Sequence, residues 1–552
     1  MWPDEWRKLR GREVAGLQAK LAGSFPIAGA WKLDMPLGEH LHPRVDHVIL
    51  LIDDVFPFSQ FRVCAPQAEG RLAERWPHVE GKGMLCLASQ PLGLPIDERL
   101  KRAVTDAAML FSMDEAARKA EFQREALSYW ERESGDTKSW RSLFPPAGVS
   151  RAIFYANHRG AFVFADSETQ LLSWFRHSNI GDAPKPMRAW FAMLDEALVP
   201  AQYPSTGSDL LRLIGCEQIL PMLDPPRFFP VLLGMPTKTG AVFVAVQLQC
   251  PSKRDMWKGF RPGARLPDVR VLPAYSGRRV ERVQVVRADH SWVHGRDHNP
   301  AAAILAEKTV ALIGCGALGA EIARLLTQSG VGNLMLIDHD TLASENTSRH
   351  VLGSAETGGK KASGLAKKLK RDFPTIRQAC SFDQRYEQLP EDQLVKIDAA
   401  DLVITAGLFL PTDIRVNERR KRAAVKRPWL VAWAEELACA GHAALLVSDT
   451  DLTELFDIAG RPKLAMTSNW PSSVGTVTEA GCGTSFQPYS ALDMLNTVAL
   501  ATRLALDSLM GRRAASTYRV WLGDRDRVAR SGATLATTFD AGMTEREMPW
   551  PR

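Results

Sequence analysis

From about residue 291 onward, short apolar runs alternate with helical patterns, and this alternation limits the fold more than any other feature of the chain. KTVALIG, NLMLID, ADLVITAG and WLVAWA read as strands, and ALGAEIARLLTQSG, KKASGLAKKLKRDF and DIRVNERRKRAAVKR as the helices between them. Strand and helix in turn predict a doubly wound, mostly parallel sheet. Gly314-Cys-Gly316-Ala-Leu-Gly319 follows the first strand and opens the first helix. Glycines there permit a tight turn and a close backbone approach, and the N–H groups of a helix N-terminus then face phosphates. Asp338 closes the next strand, where an acid can bind ribose hydroxyls. Taken alone, the loop favours a dinucleotide, with a ligand-free tight turn as the plain alternative.

The residues after the acid change that reading. Asp338-His-Asp340-Thr-Leu-Ala-Ser-Glu-Asn346-Thr-Ser-Arg349 and the segment Gly-Gly-Lys-Lys361-Ala put cations beside the loop. Adenylation needs such cations, because negative charge builds on the bridging oxygen as pyrophosphate leaves. A dehydrogenase has no use for them, although a pair of solvated surface cations is the bland reading of Arg349 and Lys361. The run resembles the D-x-D-x(5)-N-x-x-R signature of ThiF/MoeB-type adenylating enzymes, with every spacing matched. The resemblance implies ATP as cofactor, with Mg²⁺, and a ThiF-type Rossmann-like fold. It implies Gly314, Gly316, Gly319, Asp338, Asp340, Asn346, Arg349 and Lys361 as the nucleotide site. Trp292-Val-His-Gly-Arg296-Asp resembles the family's arginine-bearing segment, which usually reaches a partner subunit's site, so Arg296 is a catalytic candidate and a homodimer is implied. One departure stands out. Where the family has a metal-binding aspartate after its fourth strand, nine residues before an asparagine matching Asn417, this chain has Leu408. Asp413 is the nearest substitute, and the metal ligands are left unassigned.

Eight cysteines form no CxxC pair, which argues for a reducing cytoplasm and against a zinc ribbon. Cys482, in Glu479-Ala-Gly-Cys-Gly-Thr-Ser-Phe, has small neighbours and precedes a long helix whose dipole would favour a thiolate. Its segment resembles the PGCGTPF-like element of bacterial ubiquitin-type activating domains, where the cysteine takes the activated C-terminus as a thioester; a buried turn cysteine is the alternative. Cys315 inside the loop reads as packing, and Cys439 as a weaker rival to Cys482. Near the N-terminus, Val55-Phe-Pro-Phe-Ser-Gln-Phe-Arg-Val-Cys-Ala-Pro precedes Trp76-Pro-His78-Val79-Glu-Gly-Lys-Gly83-Met-Leu85-Cys86-Leu87. This resembles the ubiquitin-conjugating pattern in glycine at minus three, an aliphatic residue at minus one, leucine at plus one and valine at minus seven. The family's asparagine at minus eight, which steadies the oxyanion, is His78 here; a ring N–H can give the same hydrogen bond. Core packing beside Trp76 is the other reading of His78, and Cys64 reads as core.

The remainder sets the frame. At 552 residues the chain needs several cores. Three blocks emerge: 1–140, an α+β ubiquitin-conjugating-like domain with strands HVILLID and FRVCAP and the closing helix EFQREALSYWERES; 141–290, an α+β linker with a hairpin turning near Asn157–Gly160; and 291–552, the adenylation domain. A formal charge of +6 is too small to argue for nucleic acid. No run of eighteen apolar residues suggests a membrane span, and the charged N-terminus is unlike a secretory signal. The combination resembles bacterial conjugating–activating fusions found beside CD-NTases in CBASS anti-phage operons. It implies a protein substrate with a reactive C-terminus (a CD-NTase or a ubiquitin-like protein), activated with ATP, passed from Cys482 to Cys86 and then to an amine. A scaffold that merely binds such a partner, and a sulfur-carrier adenylyltransferase, remain alternatives.

Overall fold

The computed structural model describes all residues except 1–5, 22–25, 35–44, 67–74, 81, 133–139, 159, 179–183, 216–218, 220–221, 223–227, 258, 260, 262–267, 473, 475–476, 479–484, 537–542 and 552. Three sheets organise it.

The first is a five-stranded antiparallel meander: Trp6–Lys8, Gly29–Asp34, His47–Ile52, Arg62–Cys64 and Met84–Leu85, bonded in chain order. HVILLI is apolar at nearly every position because both faces are covered. Val48 and Leu50 pack with Leu100, Ala103, Ala107 and Leu110 of helix Ile96–Phe111. Ile49 and Leu51 turn the other way, toward Leu17 of helix Arg12–Lys20, and Cys64 is buried among them. Arg99 reaches back from helix Ile96–Phe111 and is 1 % exposed. It donates to the carbonyls of Pro57, at 2.8 Å, and Ser59 while lying over the rings of Phe56 and Phe61. A buried guanidinium thereby fixes the loop that precedes the Cys64 strand.

The closing helix of this region is broken, where the amphipathic pattern predicts one segment. Glu115–Arg124 ends at Glu125 (φ −108, ψ 28), and Ala126–Glu131 begins anew. The second piece turns Trp130 into the core of the next sheet, beside Tyr203, where its Nε1 donates to the carbonyl of Val283 at 3.2 Å.

That second sheet has eight strands in the order Val280–Val283, Gly240–Gln249, Phe228–Thr237, Met187–Met193, Arg151–His158, Ala161–Ala165, Trp140–Ser142 and Val285–Arg287. Helix Glu168–His177 lies on one face through Leu171, Trp174 and Phe175. The last strand leads straight into the third sheet's region.

The third sheet runs Gln378–Phe382, Asn333–Ile337, Thr309–Ile313, Leu402–Ala406 and Trp429–Ala434, all parallel. It then continues antiparallel through Ala440–Leu446, Thr517–Leu522 and Glu545–Met548. Thr309–Ile313 pairs with Asn333–Ile337 on one side and Leu402–Ala406 on the other, so the winding reverses at its carboxyl end. A crevice forms at such a switch point. Side chains alternate between two cores, Leu312 and Ile404 with helix Ala317–Gln328, and Ile313 and Val403 with the opposite layer.

Replacing Arg99 with alanine should strand two buried carbonyls and cost about 2–4 kcal/mol of stability. Urea unfolding followed by tryptophan fluorescence measures this, and a loss under 1 kcal/mol would mean the clamp is dispensable.

Candidate functional site

The glycine loop sits at the switch point, and two of its glycines are required there. Gly314 adopts φ +92, and a Cβ on it would lie 2.6 Å from the Ala406 carbonyl oxygen. A Cβ on Gly319 would lie 1.8 Å from the Gly314 oxygen, so helix and strand meet only because neither has a side chain. Gly316, by contrast, faces open space, with nothing within 4 Å of where its Cβ would stand, the opening a phosphate needs.

Cys315 is held at both ends of its peptide. Its N–H donates to Asp338 at 2.7 Å, and its carbonyl accepts from His350 Nε2 at 2.6 Å. The tautomer follows, because His350 Nδ1 accepts from the Leu352 N–H at 3.0 Å. Burial lowers the His350 pKa and raises that of the Cys315 thiol, which Asp338 raises further. Cys315 therefore packs, as expected. Asp338 also accepts from the Asp340 N–H at 2.8 Å, and two such bonds still leave lone pairs for ribose hydroxyls.

Lys361 Nζ lies 3.0 Å from Asp340, with 12 % of its side chain exposed. Burial would raise the Asp340 carboxyl, but Lys361, with His339 and Arg385 nearby, holds it below the usual range. Arg349 lies over the Tyr489 ring, 5.2 Å from its centroid, and donates to the Glu345 carbonyl. Asn346 accepts from the Ala343 N–H through Oδ1, leaving its amide N–H₂ without a partner among the described residues. Together these groups are a glycine turn, a ribose-type acid and two cations at one crevice.

Arg296 is elsewhere. Its segment follows helix His290–Val293, and His290 and His294 bond the carbonyls of Gly330 and Gln328 at the C-terminal end of helix Ala317–Gln328. Twelve helical residues span roughly 18 Å, so the segment lies at the far end from the glycine loop. Arg296 itself is exposed, at φ +50. It is braced by Arg287, whose buried pair with Asp289 (2.8 Å) and contact with Asp297 shape the turn.

The residues present do not fit the implied Mg²⁺ set. Leu408 packs its Cδ2 2.8 Å from the Gly314 Cβ position, so an apolar side chain fills the carboxylate's place. Asp413 is 6 % exposed, with one oxygen lacking any hydrogen-bond partner. Burial pushes its carboxyl up to about 6 against a weaker pull from Thr405. Asn417 is bound to Asp451 at 2.8 Å. Asp338, His339 and Asp340 bring possible ligand atoms within 4.8 Å of one another, but Asp340 is paired with Lys361 and His339, and Asp338 accepts two backbone N–H groups.

Cys86 follows strand Met84–Leu85 and is exposed. Its N–H bonds the His78 carbonyl at 2.8 Å. Gly83, at φ +82, lets the strand turn where a Cβ would lie 2.4 Å from the Ala65 oxygen. Cys86 and His78 line one open cleft of about 370 Å³ with Asp106, Met109, Met113 and Glu125. His78 sits at φ +57, a strained conformation held by three groups of the broken helix. Tyr129 Oη accepts from its backbone N–H at 2.7 Å, Glu121 lies 2.7 Å from Nε2, and Glu125 lies 3.5 Å from Nδ1. Arg124, against the effect of burial and aided by His78, lowers Glu121 to about 2. The sequence reading missed Glu121 and Glu125, although their i, i+4 spacing was the available signal. His78, Glu121 and Glu125 also cluster as possible metal ligands, but Arg124 occupies Glu121 through two donors.

Cys482 lies outside the described residues. Its rival Cys439 is buried, and burial pushes its thiol up to about 12, which removes it as a nucleophile.

Residues 298–444 match the ThiF family. The ATP-dependent ubiquitin transferase-like proteins Cap2 of Pseudomonas aeruginosa and Escherichia coli are 37% and 32% identical over 128 and 157 residues, covering 22% and 27% of this chain. The chain spans only about a quarter of their length, 23% and 26%. The mouse adenylyltransferase and sulfurtransferase MOCS3 is 44% identical over 68 residues, 12% of this chain and 15% of the relative. A crystal structure of E. coli MccB with succinimide aligns over 46% of this chain and 66% of its own, at TM-score 0.33 and 16% identity.

Asp413 supplies a test of the metal question that needs no substrate. The folded value of about 6 exceeds the ordinary 3.8, so the folded state binds this proton more tightly. The cost of ionising it is absent below about pH 4 and complete above about pH 6. Asp413→Asn should stabilise the protein by about 2 kcal/mol at pH 8, with the gain vanishing by pH 4, in paired thermal melts. A destabilised variant at pH 8, or a melting point raised by Mg²⁺ in the parent only, would show a metal ligand instead. Residues 298–444 are thus similar to the ThiF family, and over about a quarter of its length the chain is similar to the Cap2 proteins.

Proposed function

We propose that this chain adenylates the C-terminus of a protein substrate with ATP and relays it through two thioesters to an amine. The observation that carries the reading is the open glycine turn at Gly314–Gly319, with Asp338 bonded to the Cys315 N–H and Lys361 paired with Asp340 beside it; Asn346 and Arg349 are proposed to complete the site. Phosphates would face the open side of Gly316 and the helix N-terminus. A carboxylate oxygen attacks the α-phosphorus, the α–β bridging bond breaks, and pyrophosphate leaves with charge that Arg349 and Lys361 offset. No step is drawn through magnesium.

Cys482 thiolate then attacks the acyl carbon and AMP departs. Cys86 thiolate takes the acyl group next, releasing Cys482 as thiolate; an amine then attacks the Cys86 thioester, its proton is lost, the C–S bond breaks and Cys86 leaves as thiolate. Exposure of Cys86 and the cleft it shares with His78 support this role. Glu121 holds Nε2 at 2.7 Å, whereas Nδ1 is 3.5 Å from Glu125, so Nδ1 is the more weakly paired nitrogen and the one proposed to serve the oxyanion. The position of Arg296, remote from its own chain's loop, supports a homodimer in which it serves the partner's site. The name of the Cap2 relatives, ATP-dependent ubiquitin transferase-like proteins, supports an ATP-dependent transfer of this kind; a place in anti-phage defence, in the cytoplasm, with a CD-NTase or ubiquitin-like protein as substrate, is proposed from the sequence resemblance. No described helix is long and apolar enough to cross a membrane. The blocks 1–140, 141–290 and 291–552 are proposed as the conjugating, linker and adenylation units.

Leu408 favours a second reading, a nucleotide domain that binds a protein partner without chemistry. Exchange of labelled pyrophosphate into ATP, with the substrate present, separates the two. Lys361→Ala and Arg349→Ala should each lower exchange about 10²-fold or more. Absence of exchange in the parent protein would favour the scaffold.

Cys86→Ala should leave exchange intact but abolish the final conjugate on reducing gels. Undiminished conjugate in that variant would remove Cys86 from the relay.

A further inference from the structure

A second cavity, of about 710 Å³, opens between helix Glu168–His177 of the second sheet and helix Lys361–Asp372 of the third. Its lining is strongly cationic: Arg176, Lys360, Lys367, Lys368, Lys370 and Arg371, against the single acid Glu356. Some of that charge is already matched, since Asp372 pairs with Lys368 at 2.9 Å and with Arg371 at 2.9 Å. Lys367 and Lys370 have no acidic partner among the described residues. Within the same walls His177 is half-buried, and burial together with Lys370 and Arg176 lowers its pKa. Like charges gathered without counter-charge repel one another, and an anion relieves them.

The cavity is also directional. It follows helix Lys361–Asp372 from end to end, and at its head Lys360 Nζ bonds the His339 carbonyl at 2.5 Å. The Gly359 carbonyl there accepts from the Leu342 N–H, and Lys361 continues directly to Asp340. One mouth thus abuts the nucleotide crevice. Twelve helical residues span roughly 18 Å, the reach of about five extended residues. Small side chains or none, at Gly359, Ser363, Gly364 and Thr357, leave backbone accessible along the way. No Phe, Tyr or Trp ring lines the cavity among the described residues, whereas nucleic-acid strands are held by stacking as well as charge.

We infer that this cleft is the track for an acidic, extended C-terminal segment of the protein substrate, which it leads to the glycine crevice. The inference rests on the adenylation reading, because only that chemistry requires a chain end at the crevice. Charge would select the segment's sequence upstream of the reacting carboxylate, while the crevice itself reads only the terminus.

The test uses the full-length protein and three fluorescein-labelled probes: a ten-residue peptide of alternating aspartate and glycine, its asparagine–glycine counterpart, and a ten-nucleotide single strand of thymidylate. Anisotropy should show the acidic peptide binding at least tenfold tighter than the neutral one, with affinity falling as salt rises. The double variant K367E/K370E should lose that difference, and K367Q/K370Q should lose most of it, both with the parent's melting temperature. Fluorescent ATP-analogue binding should be unchanged in both variants, since neither residue belongs to the crevice. Equal binding of the two peptides, or full acidic-peptide binding by both variants, overturns the track. Tighter binding of the oligonucleotide overturns it in favour of a nucleic-acid site. Loss of analogue binding in the parent protein would instead count against the adenylation reading and leave the peptide comparison to stand alone.

Discussion

The third sheet depends on one contact that tolerates no side chain: the approach of Gly319 to the carbonyl of Gly314. Helix Ala317–Gln328 can lie on its sheet only because that gap is empty, and everything at the crevice is indexed to it. Asp338 and His350 grip Cys315 from its N–H and its carbonyl, so the turn is clamped by groups from two other segments. His350 is buried and neutral, which suits a brace better than a charged group would. It stands next to Arg349 in sequence, and the clamp therefore also sets where the cation begins. A loop fixed this way meets a ligand with little reorganisation left to make.

The two cysteine settings follow different physics. At Cys315 in the glycine loop and at Cys439 beside Val528 and Ala533, burial dominates and raises the thiol. At Cys86 the thiol is exposed, and the order lies in its neighbour, since His78 takes a strained backbone and carboxylates address both ring nitrogens. Strain of this kind persists only where surrounding groups over-determine it. Tyr129, Glu121 and Glu125 do so, and Arg124 keeps Glu121 ionised.

Much of the third sheet was legible because its signals are local. A strand, a glycine turn, a helix and an acid at the next strand end lie within a few dozen residues, and each demands particular residue types. Gly83 before Cys86 was legible for the same reason, a left-handed turn against the Ala65 carbonyl. What stayed hidden was assembled at a distance. Glu121 and Glu125 share a helix face by their spacing, but that this face meets His78, more than forty residues earlier in the chain, is set by the fold and not by any local pattern. The antiparallel extension through Thr517–Leu522 and Glu545–Met548 joins segments far apart in the chain. The cationic cleft is divided between two helices that, read singly, look like ordinary solvated faces. Asp413 reads as a polar residue in a helix's first turn, and only its burial in the fold reveals a carboxyl pushed up to about 6.

The broken helix has a consequence for how a relay would operate. Tyr129 and Trp130 are consecutive, yet one holds the loop beside Cys86 and the other is buried in the second sheet. The hydrogen bond from Trp130 to Val283 lies two residues before strand Val285–Arg287, whose Arg287 anchors the turn carrying Arg296. A buried indole at such a junction opposes hinge motion, because opening it exposes a large apolar surface to water. Thioester exchange needs both sulfurs at one acyl carbon, because the bond to Cys86 forms as the bond to Cys482 breaks. With this junction held, a relay would have to bring the two cysteines together by some route other than a hinge here, such as between the two chains of a dimer.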